Sequence, residues 1–230
     1  MHPFFYFKDE MKNLIRNAFL LSLVTILYNI AEGLISLYFG AANETIALLG
    51  FGVDSFVEVI SGIGIAHMIV RMKYSKVETR DEFERTALKI TGSVFYLLTL
   101  GLVVGSVLNL INDIKPYTTV PGIVIAAVSI VTMYWLMTSK LKVGKALNSD
   151  AIIADANCTK TCFYLSFILL AASGLYELFH IEYFDILGSL GIAYFAFREG
   201  RESFEKIKSG KLLCNCNDHH EVNTTYLQSK

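Results

Sequence analysis

The chain has 230 residues, of which 53% are hydrophobic and 18% charged, with a formal net charge of −1. Soluble domains carry about a quarter charged residues and nucleic-acid binders a basic excess; neither describes this chain, and no nucleic acid is expected among its partners. Three Pro and 16 Gly are too few for a collagen-like or Pro-rich disordered chain. The apolar residues fall in continuous runs near the ~20 residues that cross a bilayer as a helix, which excludes a soluble enzyme, and they lack the period-two alternation of a membrane barrel.

In chain order, a basic segment over residues 1–16 leads into a first span over 17–39, which holds Asn29 and Glu32. A break over 40–44 (Gly-Ala-Ala-Asn-Glu) precedes the second span, 46–70, with Asp54 and Glu58. A charged run over 71–84 separates it from the third span, 87–112, and the turn-rich 112–116 (Asn-Asp-Ile-Lys-Pro) from the fourth, 119–139. After the polar 140–150 comes the fifth span, 151–177, with Asp155, Cys158, Lys160, Cys162 and Glu177; His180-Ile-Glu182 leads into the sixth, 181–197. The expected fold is all-α, a bundle of six transmembrane helices. Its domains are the N-terminal segment 1–16, a six-helix transporter-like unit over 17–205, and a short tail over 206–230.

Positive charge sets the orientation. Of the 20 Lys and Arg, 18 flank the spans on one side, Lys115 stands alone on the other, and Lys160 lies within a span. Cytoplasmic loops carry the excess of Lys and Arg, so both termini are expected in the cytoplasm. The first span is too long, and too interrupted by Glu32, to read as a cleaved signal peptide.

Ionisable groups at bilayer depth are costly and mark interiors, cavities or ion pathways. Asp54 and Glu58 are four residues apart and share one helix face. Adjacent carboxylates repel unless a proton or cation lies between them, so the pair either holds a proton, is neutralised by Lys160, or forms a cation site. Cys158 and Cys162 are also four apart, with Asp155 on the same side of the fifth span and Lys160 pointing away. Two such Cys are also compatible with ordinary packing, whereas a disulfide between them is not, because their Cβ atoms would be ~5–6 Å apart where a bridge needs about 3.8 Å. With ~1.5 Å rise per residue, the carboxylate pair and the thiol pair each lie ~10–18 Å from the face at which their span enters a core ~30 Å thick. Both therefore approach the midplane, and two carboxylates with two thiols suit a tetrahedral zinc or cadmium site.

The second span reads Ala47-Leu-Leu-Gly-Phe-Gly-Val-Asp54-Ser-Phe-Val-Glu58-Val-Ile-Ser61, and the fifth opens Ala146-Leu-Asn-Ser-Asp150-Ala-Ile-Ile-Ala-Asp155-Ala-Asn-Cys158-Thr-Lys-Thr-Cys162. Together they resemble the cation diffusion facilitator family of metal transporters, whose second helix carries D-x-x-x-D or H-x-x-x-D and whose fifth carries A-D-x-x-H-x-x-x-D. The sixth span is also similar, with Asp185-Ile-Leu-Gly-Ser-Leu-Gly191. The resemblance implies a metal site at Asp54, Glu58, Cys158 and Cys162, with Asp155 at the A-D position. It also implies cytoplasmic termini, a site shared by the second and fifth helices, export, metal/proton antiport and a homodimer. Two departures matter. Cys replaces both fifth-helix ligands, which favours softer ions, so Zn(II) is joined by Cd(II), Hg(II) or Cu(I) as candidate cargo. About 30 residues follow the sixth span, too few for the family's ferredoxin-like cytoplasmic domain, so this is expected to be a divergent member without it.

The tail holds Cys214, Cys216, His219 and His220 beside Asp218 and Glu221, a set able to wrap one ion and to collect cytosolic metal, although C-x-C lacks the spacing of paired zinc knuckles. With Glu32 and Asp155 these are accessory candidates. The expected function is export of zinc or a softer ion across the cell (inner) membrane, with metal and protons as partners and no permanent cofactor. A thiol oxidoreductase fails on the Cys geometry, and a non-transporting metal-binding regulator or assembly partner is the alternative. The charge asymmetry makes one direct prediction: with Cys216 as the single cysteine, a membrane-impermeant thiol reagent should label permeabilised cells and leave intact cells unlabelled, and strong labelling of intact cells would reverse the orientation.

Overall fold

The computed structural model describes residues 3–74, 80–147, 149–181 and 183–209. It contains six helices: α1 Pro3–Ala42, α2 Ile46–Tyr74, α3 Arg80–Asn112, α4 Val120–Ala146, α5 Asp150–Phe179 and α6 Tyr183–Ser209. The three prolines stand at helix starts or in a connection, with Pro3 opening α1, Pro116 in the turn after α3 and Pro121 in the first turn of α4. Proline is tolerated at such positions, where its missing N–H has no helical partner to lose.

The connections at one end of the bundle share a backbone device. Glu44, Asp113 and His180 have φ of 55°, 53° and 54°, and each lies just past the end of α1, α3 or α5. A left-handed residue at this position reverses the chain while satisfying late helix carbonyls. Successive helices therefore run antiparallel. The largest contacts pair α1 with α2, α4 with α5 and α3 with α6, and α2 also meets α3, α5 and α6. This central position makes α2 the helix on which α1, α3, α5 and α6 converge.

Among the described residues, five helices contain segments long and apolar enough to cross a membrane: Asn13–Ala42, Ile46–His67, Lys89–Asn112, Val120–Ala146 and Asp155–Phe179. The sixth span expected from the sequence is not among them. Its helix α6 has 27 residues, but its C-terminal part carries Arg198, Glu199, Arg201, Glu202 and Glu205. Nearly every expected span is also longer as a helix; α4 in particular runs through residues 140–146, which the charge pattern had assigned to a loop.

The distribution of polarity is that of a bundle in lipid. Leu27, Leu34, Leu97, Val131 and Leu178 face outward, while Asn29, Glu32, Asp54, Lys140, Asp155 and a series of Ser and Thr are enclosed. With no water in the bilayer to satisfy them, polar groups must find partners inside. Ser22, Thr25 and Ser166 donate to carbonyls one turn back in their own helices. Others join neighbours: Ser106 and Ser189 lie 2.6 Å apart between α3 and α6, and the Ser166 and Ser129 hydroxyls lie 2.9 Å apart between α5 and α4. An apolar cluster including Leu48, Phe51, Leu102, Leu165, Leu169 and Ile192 fills the centre.

Two acidic residues close the turn end. Glu177 accepts from the Thr118 hydroxyl and, at 3.2 Å, from the Thr119 N–H, beside the start of α4. Asp185 of α6 accepts from the N–H groups of Ile46 and Ala47 at 2.9 and 3.3 Å, so its buried carboxylate caps α2, the helix it reaches from almost the far end of the chain. Hydrogen bonds to a charged group of this kind contribute about 1.5–3 kcal/mol. Asp185→Ala should therefore lower the thermal unfolding midpoint of the detergent-purified protein clearly, and Asp185→Asn, which keeps one acceptor oxygen, should lower it less. An unchanged midpoint in Asp185→Ala would show that α2 is capped by other means.

Candidate metal-ion site

The site begins with a close helix crossing. A Cβ on Gly33 would lie 2.8 Å from the Phe56 ring and 3.1 Å from the Gly52 carbonyl, and one on Gly52 would lie 3.0 Å from the Leu37 nitrogen. Glycine at both positions lets the backbones of α1 and α2 approach, as small residues do between membrane helices. That approach sets the polar residues of α1 against the acidic face of α2. Asn29 donates from Nδ2 to Glu58 Oε2 at 2.9 Å and to the Thr25 carbonyl at 3.0 Å. Both neighbours are pure acceptors, which fixes the orientation of the amide; its Oδ1 is buried without a hydrogen-bond partner. Glu32 accepts from the Tyr28 hydroxyl at 2.8 Å on one oxygen and from the Ser55 hydroxyl at 3.0 Å on the other.

From the opposite side, α5 presents Cys162. Its Sγ donates to Asp54 Oδ2 at 3.5 Å. Asp54 and Cys162 are buried at 4% and 7% exposure, whereas Glu58 is half-buried. Thus Asp54 of the α2 carboxylate pair and one of the two α5 thiols meet across the helix interface. Cys158, one turn further toward the start of α5, is half-buried, and no disulfide involves either cysteine.

The third component was not expected. Lys140 of α4, assigned from the sequence to the loop after the fourth span, is fully enclosed. Its Nζ lies 2.9 Å from Asp155 Oδ2 and donates to Thr159 Oγ1 at 3.0 Å. Asp155, an accessory ligand candidate, is therefore engaged in an ion pair. Lys160, considered above as a neutralising partner for Asp54 and Glu58, is instead exposed on the flank of α5, 5.8 Å from the centre of the Tyr164 ring. Its position one residue past Thr159 turns it outward, while the inward-facing ammonium comes from α4.

Several contributors were not singled out from sequence. Tyr28, Ser55 and Lys140 are the clearest, joined by Glu199 of α6, which accepts from Thr161 at 3.2 Å. The signal for Lys140 was present in the α4 stripe Gly122, Ala126, Ser129, Met133, Leu136, Lys140, Gly144, whose members are all buried and recur every three or four residues. The tail candidates Cys214, Cys216, His219 and His220 lie outside the described residues.

Chemically, the α2–α5 interface offers carboxylate oxygen and thiol sulfur side by side, with the Asn29 amide holding Glu58 from behind. Among the described residues no group of three or more His, Cys, Asp or Glu side chains is gathered tightly enough to hold a metal ion as it stands. The thiol proton lies toward Asp54, so a cation entering here would have to displace it.

Comparison with curated proteins finds no match. The family model of the cation efflux transmembrane domain matches residues 18–209, which include Asp54, Glu58, Cys158, Cys162 and the Lys140–Asp155 pair. The match covers most of the 230 residues, and the helices are those of an integral, multi-pass membrane protein. The chain therefore belongs to the cation efflux family: it transports metal ions across a membrane and is not an enzyme.

Proposed function

We propose that the chain exports Zn(II) or a softer ion such as Cd(II) through a site between α2 and α5, with Asp54, Glu58, Cys158 and Cys162 as ligands. The observation that carries this reading is the 3.5 Å contact between Cys162 Sγ and Asp54 Oδ2, which joins the two spaced pairs across the helix interface. Thiolate sulfur is polarizable and selects softer ions, while the carboxylates accept zinc as well.

The chemistry proposed is an exchange of cation for proton. Binding requires deprotonated ligands. The metal ion displaces the Cys162 proton that lies toward Asp54 and forms bonds to sulfur and carboxylate oxygen. Protons returning from the far side re-form the thiol and the ion departs. Cys158 lies one helical turn from Cys162, so closing the set around an ion calls for a small rotation or slide of α5 against α2, a movement that belongs naturally to rocking of helix pairs around a midplane site.

The same reading takes α6 as a sixth crossing, places both termini in the cytoplasm of a cell (inner) membrane, and assigns the tail cluster around Cys214 and Cys216 to metal capture. It takes the working assembly to be a homodimer.

Flux into proteoliposomes of purified protein tests the reading. Asp54→Asn should reduce Zn(II) flux to background, because it removes a charged ligand from a site where a desolvated cation needs one. Cys158→His with Cys162→Asp should lower the Cd-to-Zn flux ratio at least about ten-fold, equivalent to ~1.4 kcal/mol of relative preference, with correct folding as the control. An unchanged ratio would return both cysteines to a packing role. Failure of the unaltered protein to move any ion of a broad panel would favour the regulator.

A further inference from the structure

The ligand set between α2 and α5 is incomplete in the arrangement described above. Cys162 meets Asp54, and Glu58 lies one turn further along α2. Cys158 is half-buried, one turn nearer the start of α5. Zinc takes four ligands in a closed site, so two carboxylates and one thiol leave a position to fill.

An oxygen on α1 stands unused beside them. Asn29 is 0% exposed, and its Oδ1 is buried without a hydrogen-bond partner. Buried polar atoms are nearly always satisfied, and an exception points to a functional role or to an ion or water bound there. The amide gains nothing by turning over. Its nitrogen donates to Glu58 Oε2 at 2.9 Å and to the Thr25 carbonyl at 3.0 Å, so an oxygen in that place would face two acceptors. The same two bonds aim the oxygen. Thr25 lies one turn nearer the start of α1, which puts the nitrogen on that side of the amide and Oδ1 on the other. Helices α1 and α2 run antiparallel, and the Ser55–Glu32 hydrogen bond follows the Asn29–Glu58 bond one turn on. Asp54, next to Ser55, therefore lies toward the Oδ1 side. The nitrogen and oxygen of an amide are ~2.2 Å apart, which with the 2.9 Å bond keeps Oδ1 within about 5 Å of Glu58 Oε2.

The two α2 carboxylates and the Asn29 carbonyl are all acceptors. Among the described residues the donors given to them are the Cys162 thiol and the Asn29 nitrogen itself. A cation answers such an excess of acceptors.

We propose that Asn29 is an entry ligand of the transported ion: Oδ1 completes the shell begun by Asp54, Glu58 and Cys162, and Cys158 replaces it when α5 moves against α2. A neutral amide oxygen suits a passing role, because it adds no charge and holds a soft ion less firmly than a thiolate does. The metal–Oδ1 bond breaks as the metal–sulfur bond forms, and the Cys158 proton leaves to water on the entry side, as binding by a thiol requires. The proposal rests on the reading of Asp54, Glu58, Cys158 and Cys162 as ligands.

The test is Zn(II) affinity by calorimetry on the purified full chain, with Cys214 and Cys216 changed to Ser and His219 and His220 to Ala so that the tail contributes nothing. Cys158→Ala should still bind zinc through the entry shell; loss of measurable binding would overturn the proposal. Adding Asn29→Leu to Cys158→Ala should weaken binding at least ten-fold, and the loss should be several-fold smaller with Cys158 in place. This dependence on Cys158 is diagnostic. An amide that only positions Glu58 would cost the same in both backgrounds, and equal losses, or none in either, would overturn the proposal. Asn29→His in the Cys158→Ala protein gives a readout that positioning would not move. X-ray absorption at the zinc edge should gain imidazole scattering that the Asn29 parent lacks, and its absence would count against Asn29 as a ligand even if the Leu variant fails to fold. If Asp54→Asn and Glu58→Gln both leave zinc affinity unchanged, the underlying ligand assignment falls and the entry ligand falls with it. If they weaken binding while the Asn29 variants fail as described, the site stands and only the entry ligand is rejected.

Discussion

Charge enclosed in a membrane bundle has to be answered within the bundle, and this requirement organises the structure. Water is absent from the lipid core, so each buried carboxylate must find a cation, a proton or donor groups. Asp185 answers with the first N–H groups of α2, Glu177 with groups beside the start of α4, and Glu32 with the Tyr28 and Ser55 hydroxyls. Asp155 has Lys140. Among the described residues, Asp54 and Glu58 are met by the Cys162 thiol and the Asn29 amide, both neutral donors. A site whose acidic groups are held by neutral donors is one that a divalent ion can enter by displacing protons.

The packing follows from the same need. Neutral donors reach carboxylates only over hydrogen-bond distances, so the helices bearing them must lie close. Gly33 and Gly52 supply that proximity between α1 and α2, and as a result Asn29 and Ser55 reach across. Larger residues there would push the backbones apart and cost Glu58 the Asn29 amide and Glu32 the Ser55 hydroxyl. Between α4 and α5, Gly144 plays the corresponding part close to Lys140 and Asp155.

Much of this was legible in the amino-acid sequence because the relevant signals are periodic or categorical. Asp54 and Glu58, four residues apart in an apolar run, read directly as one face of a helix, and the same holds for Cys158 and Cys162. Where the sequence misled, a charged residue was judged by its type and not by its phase. Lys140 looked like the start of a cytoplasmic loop because Lys142 and Lys145 follow it, yet it continues the small and apolar stripe that runs from Gly122 to Gly144. Lys160 looked like an intramembrane partner because it lies within the fifth span, yet its phase turns it outward toward Tyr164. For α6, the charges from Arg198 onward leave the helix long enough but less apolar than its neighbours. The contributions of Tyr28 and Ser55 depend on the crossing of α1 and α2, which no single-helix pattern encodes.

The central claim is that α2 carboxylates and α5 thiols bind one ion together. X-ray absorption at the zinc edge of the metal-loaded protein, with Cys214, Cys216, His219 and His220 substituted to silence the tail, tests it most directly. The account predicts a four-ligand shell of mixed character, sulfur at ~2.3 Å and oxygen at ~2.0–2.2 Å, with the sulfur component lost when Cys158 and Cys162 are changed to Ser. A shell of oxygen and nitrogen alone in the protein that retains both cysteines would contradict it.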